Sequence, residues 1–445
     1  MYTLMVQVTL FSGNDTMHLN TLFGTCGIIL SAITTCAKKQ LDLLQPAPQS
    51  ELTEVSLSEE ERGFVQKANT FALNCSRALF ANNGGESMFF SPLSLQYALG
   101  MVLNGASGDT AVEIAEALGY GSDINELNTF LSDLMVQLPA VDTTVDFRIA
   151  NAMLVNKAYK VKHSFSDVLN NLYYAPVEYT GINDISKVVE MINEWSYRNT
   201  NGFINPLVDL GDLSGGFVSV LLNALYFKAK WAEEGGTPLF RSEATSHSQP
   251  FYADGGKVFQ VDYLRASHYL PFARTEGYRA LELPYANRRF AMYVLLPENR
   301  DQSSVPKMLA SLTEKEWSNL MQSLKVGPEV HISIPKFETE KKYKLADVLQ
   351  GLGIKKAFMP GQAEFDRLFD SSNQKYCIDE IIQKSRIKVA EWGTEAASVT
   401  AEVLIGAYIP ENYVEEYFVA DHPFVYLIAE KSSGIILFSG VFDGK

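Results

Sequence analysis

The residues best placed to do chemistry lie near the end of the chain, in Glu391-Trp392-Gly393-Thr394-Glu395-Ala396-Ala397-Ser398-Val399-Thr400-Ala401, behind the strand-like run Ile387-Lys388-Val389. Small β-tolerant side chains, little bulk and a single glycine at the start describe a segment able to leave solvent and slide between two existing strands. The chemistry on offer is main-chain hydrogen bonding by an added strand, not bond making. No working nucleophile is visible: there is no Gly-x-Ser-x-Gly elbow, and no Ser, His and Asp stand in triad-like motifs. The six histidines show no metal-ligand spacing. No metal, cofactor or enzymatic activity is therefore expected. Taken singly, Ser91 and Ser94 read as helix-start caps, Asn223 as a satisfied buried amide, Trp231 as a core aromatic and His422, before Pro423, as structural.

Those residues need elements to hold them. Over 62–80, apolar Phe64, Val65, Ala68, Phe71, Ala72, Cys75 and Leu79 recur at three and four, which predicts an amphipathic helix with Cys75 on its buried face. Ser91-Pro92 starts a second helix over 93–103, ended by Asn104-Gly105, and a third follows over 111–118. Strand-like runs come later, at 147–154, 218–227, 278–283, 290–296, 330–334, 387–389, 424–429 and 435–441. Helices first and strands later, without regular alternation, predict α+β. The last two runs, joined by Glu430-Lys431-Ser432-Ser433-Gly434, read as a buried antiparallel hairpin.

A 47% hydrophobic content over 445 residues is ample for one large domain, expected over 62–445. The net charge of −15, from 37 basic and 52 acidic residues, argues against a nucleic-acid partner and disfavours an anionic membrane. Of the four cysteines, Cys26 and Cys36 lie in an apolar leader, so Cys75 and Cys377 allow one disulfide at most, and free buried thiols are the simpler reading. The apolar run 22–37, followed by Lys38-Lys39, predicts an export signal over 1–37, although no basic residue precedes it. Ile33-Thr34-Thr35-Cys36 is similar to a bacterial lipoprotein cleavage box, with Thr35 where a smaller residue is usual, which makes Cys36 a candidate lipid anchor. Residues 38–61, with Pro46, Pro48 and an acidic end, read as a flexible tether. A secreted or extracytoplasmic protein is expected, lipid-anchored if Cys36 is acylated. Its leader looks more bacterial than animal.

The hinge run resembles the start of the reactive-centre loop of the serpin family, serine protease inhibitors, whose pattern reads Glu, any residue, Gly, Thr or Ser, Glu, then mostly Ala. The likeness continues through Ser91-Pro92-Leu93-Ser94 with 99–110, Ile192-Asn193-Glu194-Trp195 with 200–204, Leu222 to Trp231, Glu282-Leu283-Pro284-Tyr285, Leu296-Pro297-Glu298, Ile334-Pro335-Lys336-Phe337 and Asp421-His422-Pro423-Phe424, in family order. It implies three β-sheets, eight or nine helices and an exposed loop over about 391–420. It also makes Glu391, Gly393, Thr394, Glu395, Ala396, Ala397 and Ser398 the hinge, and puts Trp231, Ser91, Ser94 and Asn223 where strands part, at the regions called breach and shutter. Gln383 stands at the shutter where the family commonly has His.

The resemblance implies a suicide substrate. A serine protease acylates itself on the loop, which then inserts as a new strand and carries the bound enzyme away before deacylation. Each inserted residue gains about 1 kcal/mol of net hydrogen bonding against roughly 1–2 kcal/mol of backbone ordering, so strain release and side-chain burial must drive the step. Strand alternation points Thr394, Ala396, Ser398, Thr400, Glu402 and Leu404 to the core, with Glu402 the misfit. Family loops place the scissile bond sixteen residues beyond the hinge Glu, at Ala407-Tyr408, which suits an elastase-like pocket. A shift to Tyr408 suits a chymotrypsin-like one. No Arg or Lys lies between Lys388 and Lys431, which disfavours trypsin-like targets, and no heparin-type basic site is visible. A monomer is expected. The rival reading is a non-inhibitory binding or chaperone protein whose loop is cut without trapping, suggested by Glu402, Trp392 and Gln383.

Overall fold

The folded chain opens on a capping box. Ser58 Oγ accepts from the Glu61 N–H, and Glu61 Oε2 accepts from the Ser58 N–H at 2.7 Å, which fixes the start of α1 (Glu59–Asn82). The computed structural model describes residues 53–121, 124–181, 184–213, 218–234, 237–327, 329–370, 376–394 and 415–445. Just before the cap, Val55 is buried with its N–H on Ser432 Oγ, the Ser56 N–H donates to Gln137 Oε1, and Glu54 pairs with Arg289 at 3.0 Å. This corrects the C-terminal end of the expected tether 38–61. Glu59, Glu60 and Glu61 form a helix first turn, where carboxylates suit the dipole.

The other helices are α2 (Pro92–Gly105), α3 (Gly108–Leu118), α4 (Ile124–Val141), α5 (His163–Leu172), α6 (Ile185–Asn199), α7 (Ser304–Ser311), α8 (Glu314–Ser323) and α9 (Ala346–Gly351), nine in all among the described residues. The strands run β1 (Met88–Phe90), β2 (Asp146–Asn156), β3 (Val177–Thr180), β4 (Ser219–Lys230), β5 (Glu233–Glu234), β6 (Thr237–Pro238), β7 (Ser246–Tyr252), β8 (Val258–His268), β9 (Pro271–Arg274) and β10 (Tyr278–Pro284). They continue as β11 (Phe290–Pro297), β12 (Lys325–Val326), β13 (Glu329–Pro335), β14 (Phe337–Lys344), β15 (Ile382–Ala390), β16 (Gly393–Thr394), β17 (Glu415–Val419), β18 (Phe424–Glu430) and β19 (Ile436–Phe442).

Three large sheets result, with strand orders β1-β19-β18-β11-β10-β9-β12, β17-β13-β8-β7 and β14-β15-β16-β4-β2-β3. The fold is α+β. As the two apolar runs and their short connection predict, β18 and β19 pair antiparallel and are buried throughout, within the seven-stranded sheet. The core falls into two clusters. The larger joins α1 and most of the other helices to the sheets; the smaller packs α6 and Ile204, Leu207 and Val208 onto residues of β2 and β4.

Cys75 and Cys377 are both free. Burial pushes the Cys75 thiol far up.

Candidate functional site

The six-stranded sheet holds the hinge. β15 alternates in burial along its length and ends on Ala390; Glu391 and Trp392 then form a two-residue turn, and β16 comes back antiparallel to it, pairing Gly393 with Ala390 and Thr394 with Val389. On its other side β16 pairs antiparallel with β4, Gly393 opposite Lys230 and Thr394 opposite Ala229. The hinge residues Gly393 and Thr394 are thus already seated as a strand between β15 and β4. Gly393 sits at φ +127°, and a Cβ there would stand 2.2 Å from the Ala229 carbonyl oxygen, so only glycine fits.

Trp231 closes the top of this seam. Its ring stacks on Tyr285 at 4.6 Å and 8°, its Nε1 donates to the Ala390 carbonyl at 2.8 Å, and its N–H reaches the Trp392 carbonyl at 3.4 Å. One residue just past the end of β4 therefore holds the end of β15. Tyr285 Oη shares a 2.8 Å hydrogen bond with Thr394 Oγ1, so the first inward-pointing hinge residue is buried and satisfied. Glu391 is buried on the turn, where it accepts from Lys336 Nζ at 3.0 Å and from Thr245 Oγ1 at 3.1 Å. Burial alone would raise its carboxyl, but its own backbone N–H, Lys336 and Thr245 outweigh that and hold it below the usual range.

Midway down, two polar contacts meet the first turn of α2. Gln383 of β15 accepts from the Ser91 N–H at 3.1 Å and donates to the Ser91 carbonyl at 2.9 Å, using both halves of its amide. Ser91 Oγ caps α2 through the Ser94 N–H and donates to the Leu437 carbonyl. Ser94 Oγ in turn donates to Asn223 Oδ1 of β4, whose Nδ2 donates to Asn151 Oδ1 of β2 at 2.6 Å, and Asn151 donates to the Tyr173 carbonyl. The expected capping roles and the expected place beside a strand boundary therefore coincide. β4 and β15 are each tethered to the same helix start; among the described residues the sheet joins them only through β16.

Below this network a cavity of about 410 Å³ lies between the start of β4 and residues 376–383, with Leu221, Asn223, Phe369, Cys377, Ile382 and Gln383 in its walls. Among the described residues no Lys or Arg lines it, and its ionisable lining is Asp212, Asp379, Glu380, Tyr376 and Cys377.

Glu395, Ala396, Ala397, Ser398, Glu402, the Ala407-Tyr408 bond and Cys36 lie outside the described residues. His422 bonds Asp421 through Nδ1 and the Pro297 carbonyl through Nε2, both at 2.9 Å, and is structural as expected. Four side-chain partners escaped the sequence reading as site residues: Tyr285, Lys336, Thr245 and Asn151. The first two stand inside the blocks Glu282 to Tyr285 and Ile334 to Phe337, but their contacts with Thr394 and Glu391 span more than fifty residues of chain.

Residues 66–443 match the family model described as Serpin (serine protease inhibitor). The chain is a serpin. A serpin-like protein of Thermococcus kodakarensis is 31% identical over 86% of this chain and 85% of that one. The leukocyte elastase inhibitor of Xenopus laevis is 30% identical over 84% and 97%. Among solved structures, the thermophilic serpin tengpin in its native state is similar with a TM-score of 0.78 at 26% identity, covering 88% of this serpin and 96% of tengpin.

Proposed function

We propose that this serpin traps a serine protease as a covalent acyl-enzyme at Ala407, inserting the cleaved loop between β15 and β4. One observation carries the reading: Gly393 and Thr394 already lie between those strands, antiparallel to both, so the loop is threaded at its near end. Continuing the register two residues at a time brings Ala396 level with Phe227 and Ile387, Ser398 with Leu225 and Ser385, and Thr400 with Asn223 and Gln383. These small inward residues suit burial. Elastase-like preference is supported by Ala at 407 and by the similar leukocyte elastase inhibitor. The apolar leader supports export, with Cys36 as the residue to acylate.

A loop that is cut without trapping is the second reading, and one observation favours it. The same register sets Glu402 level with Leu221 and Ile381, on a cavity whose lining among the described residues is acidic and not basic. A carboxylate arriving there without a partner costs several kcal/mol unless it takes a proton.

Incubation with an elastase, a denaturing gel and mass spectrometry of the released peptide test both. A band at the summed mass with a peptide starting at Tyr408 supports trapping at Ala407. Cleaved chain beside fully active elastase favours the second reading.

A further inference from the structure

The segment from the end of α6 to residue 213 crosses the front of the seam, and its two ends are fixed differently. On the α6 side it is held by Asn193, whose Oδ1 accepts from the Leu207 and Val208 N–H groups at 2.8 and 2.9 Å and whose Nδ2 donates to the Val208 carbonyl, and by Ser196 Oγ on the Ile204 carbonyl. On the far side the contacts are charged and go to β14 and β15. Lys342 Nζ pairs with Asp209 at 2.5 Å and Asp212 at 2.7 Å, Lys344 Nζ stands 3.7 Å from Asp212, and Lys384 Nζ donates to the Pro206 carbonyl at 2.9 Å. Phe203 bridges in between, edge-on to Tyr226 of β4 and under the Arg386 guanidinium of β15. Two of the cavities beneath the segment are about 10 Å³ each, room for roughly one water, while Leu207, Val208, Asp212 and Leu213 stand in the wall of the 410 Å³ cavity. A strap anchored to α6 on one side and to β14 and β15 on the other resists any parting of β4 from β15.

We propose that Asp209, Asp212, Lys342 and Lys344 form an ionic latch that sets the rate at which the cleaved loop inserts. The proposal rests on the insertion reading above and adds its gate. The two anchorages differ in what releases them. Asn193 makes neutral hydrogen bonds that salt leaves intact, whereas Asp209 is 63% exposed and open to screening. The Asp212 side chain is only 3% exposed, so its share of the latch persists in salt and yields to mutation instead.

The test uses the full chain, nicked in the loop by a broad-specificity endoprotease, with the gain in heat stability followed over time. The wild type is expected to gain heat stability faster in about 1 M than in about 0.05 M salt. Lys342→Gln is expected to insert about 5–30-fold faster with a weakened salt dependence, while Lys342→Arg, which keeps the charge, stays near the wild-type rate. The unnicked variants report folding: comparable heat stability before nicking shows that the rate change is not a general loss of structure. Wild-type insertion with an unchanged rate in Lys342→Gln overturns the latch alone. A wild-type chain that never gains heat stability overturns the insertion reading, and the latch with it.

Discussion

The seam between β4 and β15 has two ends of opposite character. At the top, every group is committed: Gly393 and Thr394 fill the gap with antiparallel pairs, Trp231 bridges the strand ends, and Glu391 is held by Lys336 and Thr245. At the bottom, the strands flank a cavity of about 410 Å³ whose lining among the described residues is acidic and not basic. The top therefore favours starting a new strand, and the bottom decides whether it finishes. Between them, Ser91 holds β15 and Ser94 holds β4, so one helix start ties the two strands together.

The contrast is most strongly broken from the top. Thr394→Arg puts an unpaired cation where Tyr285 holds a buried hydroxyl, at about 3–5 kcal/mol. Covalent complex with elastase should fall more than a hundredfold, with cleavage retained. Gln383→Ala leaves the Ser91 N–H and carbonyl without their amide partner, about 2–4 kcal/mol for two buried groups. It should lower the midpoint of denaturant unfolding and let the uncleaved loop insert spontaneously, seen as a slow rise in heat stability without protease. Gly393→Ala drives a Cβ into the Ala229 carbonyl and should cost about 1–3 kcal/mol, unseating the hinge; faster amide exchange at Ala229 and Lys230 would read this out. The smallest effect is Glu391→Gln, about 1 kcal/mol or less. Because the Glu391 carboxyl is held low, its contribution is present above the ordinary carboxylate range and is lost as pH falls through that range and below. Acid titration of wild type and variant should converge at low pH and separate at neutral pH.

Much of this was legible before any coordinates. The α2 start, the C-terminal hairpin and the hinge all announce themselves by local rules: Ser-Pro at a helix start, two apolar runs joined by a short Ser-Gly turn, small residues in a strand that must move. Helix α4 carries an equally plain signal, with Leu127, Phe130, Leu131, Leu134 and Leu138 at three and four, yet its periodicity went unread. Ser58 and Glu61 spell a capping box, but the neighbouring glutamates and prolines suggested a solvated tail. What no local rule reaches is partnership across the sheet. Nothing in the spacing of Lys336 and Glu391, or of Tyr285 and Thr394, says that they meet; the β14–β15 pairing brings the first pair together, and the seating of β16 beside β4, with Trp231 bridged to Tyr285, the second. Gln383 shows the same limit from the other side. Its departure from the usual His is visible in sequence, while its two-handed grip on Ser91 is not.

The two-residue turn at Glu391-Trp392 makes the molecule a ruler. With the near end of the loop pinned beside Ala390 and no slack in the turn, residues can enter only in order, each adding one strand step of about 3.3 Å. The position of anything attached at the cut end then counts the residues inserted. A spectroscopic distance from a label near the turn to a trapped protease would tell a completed strand from one halted at Glu402 by its length alone.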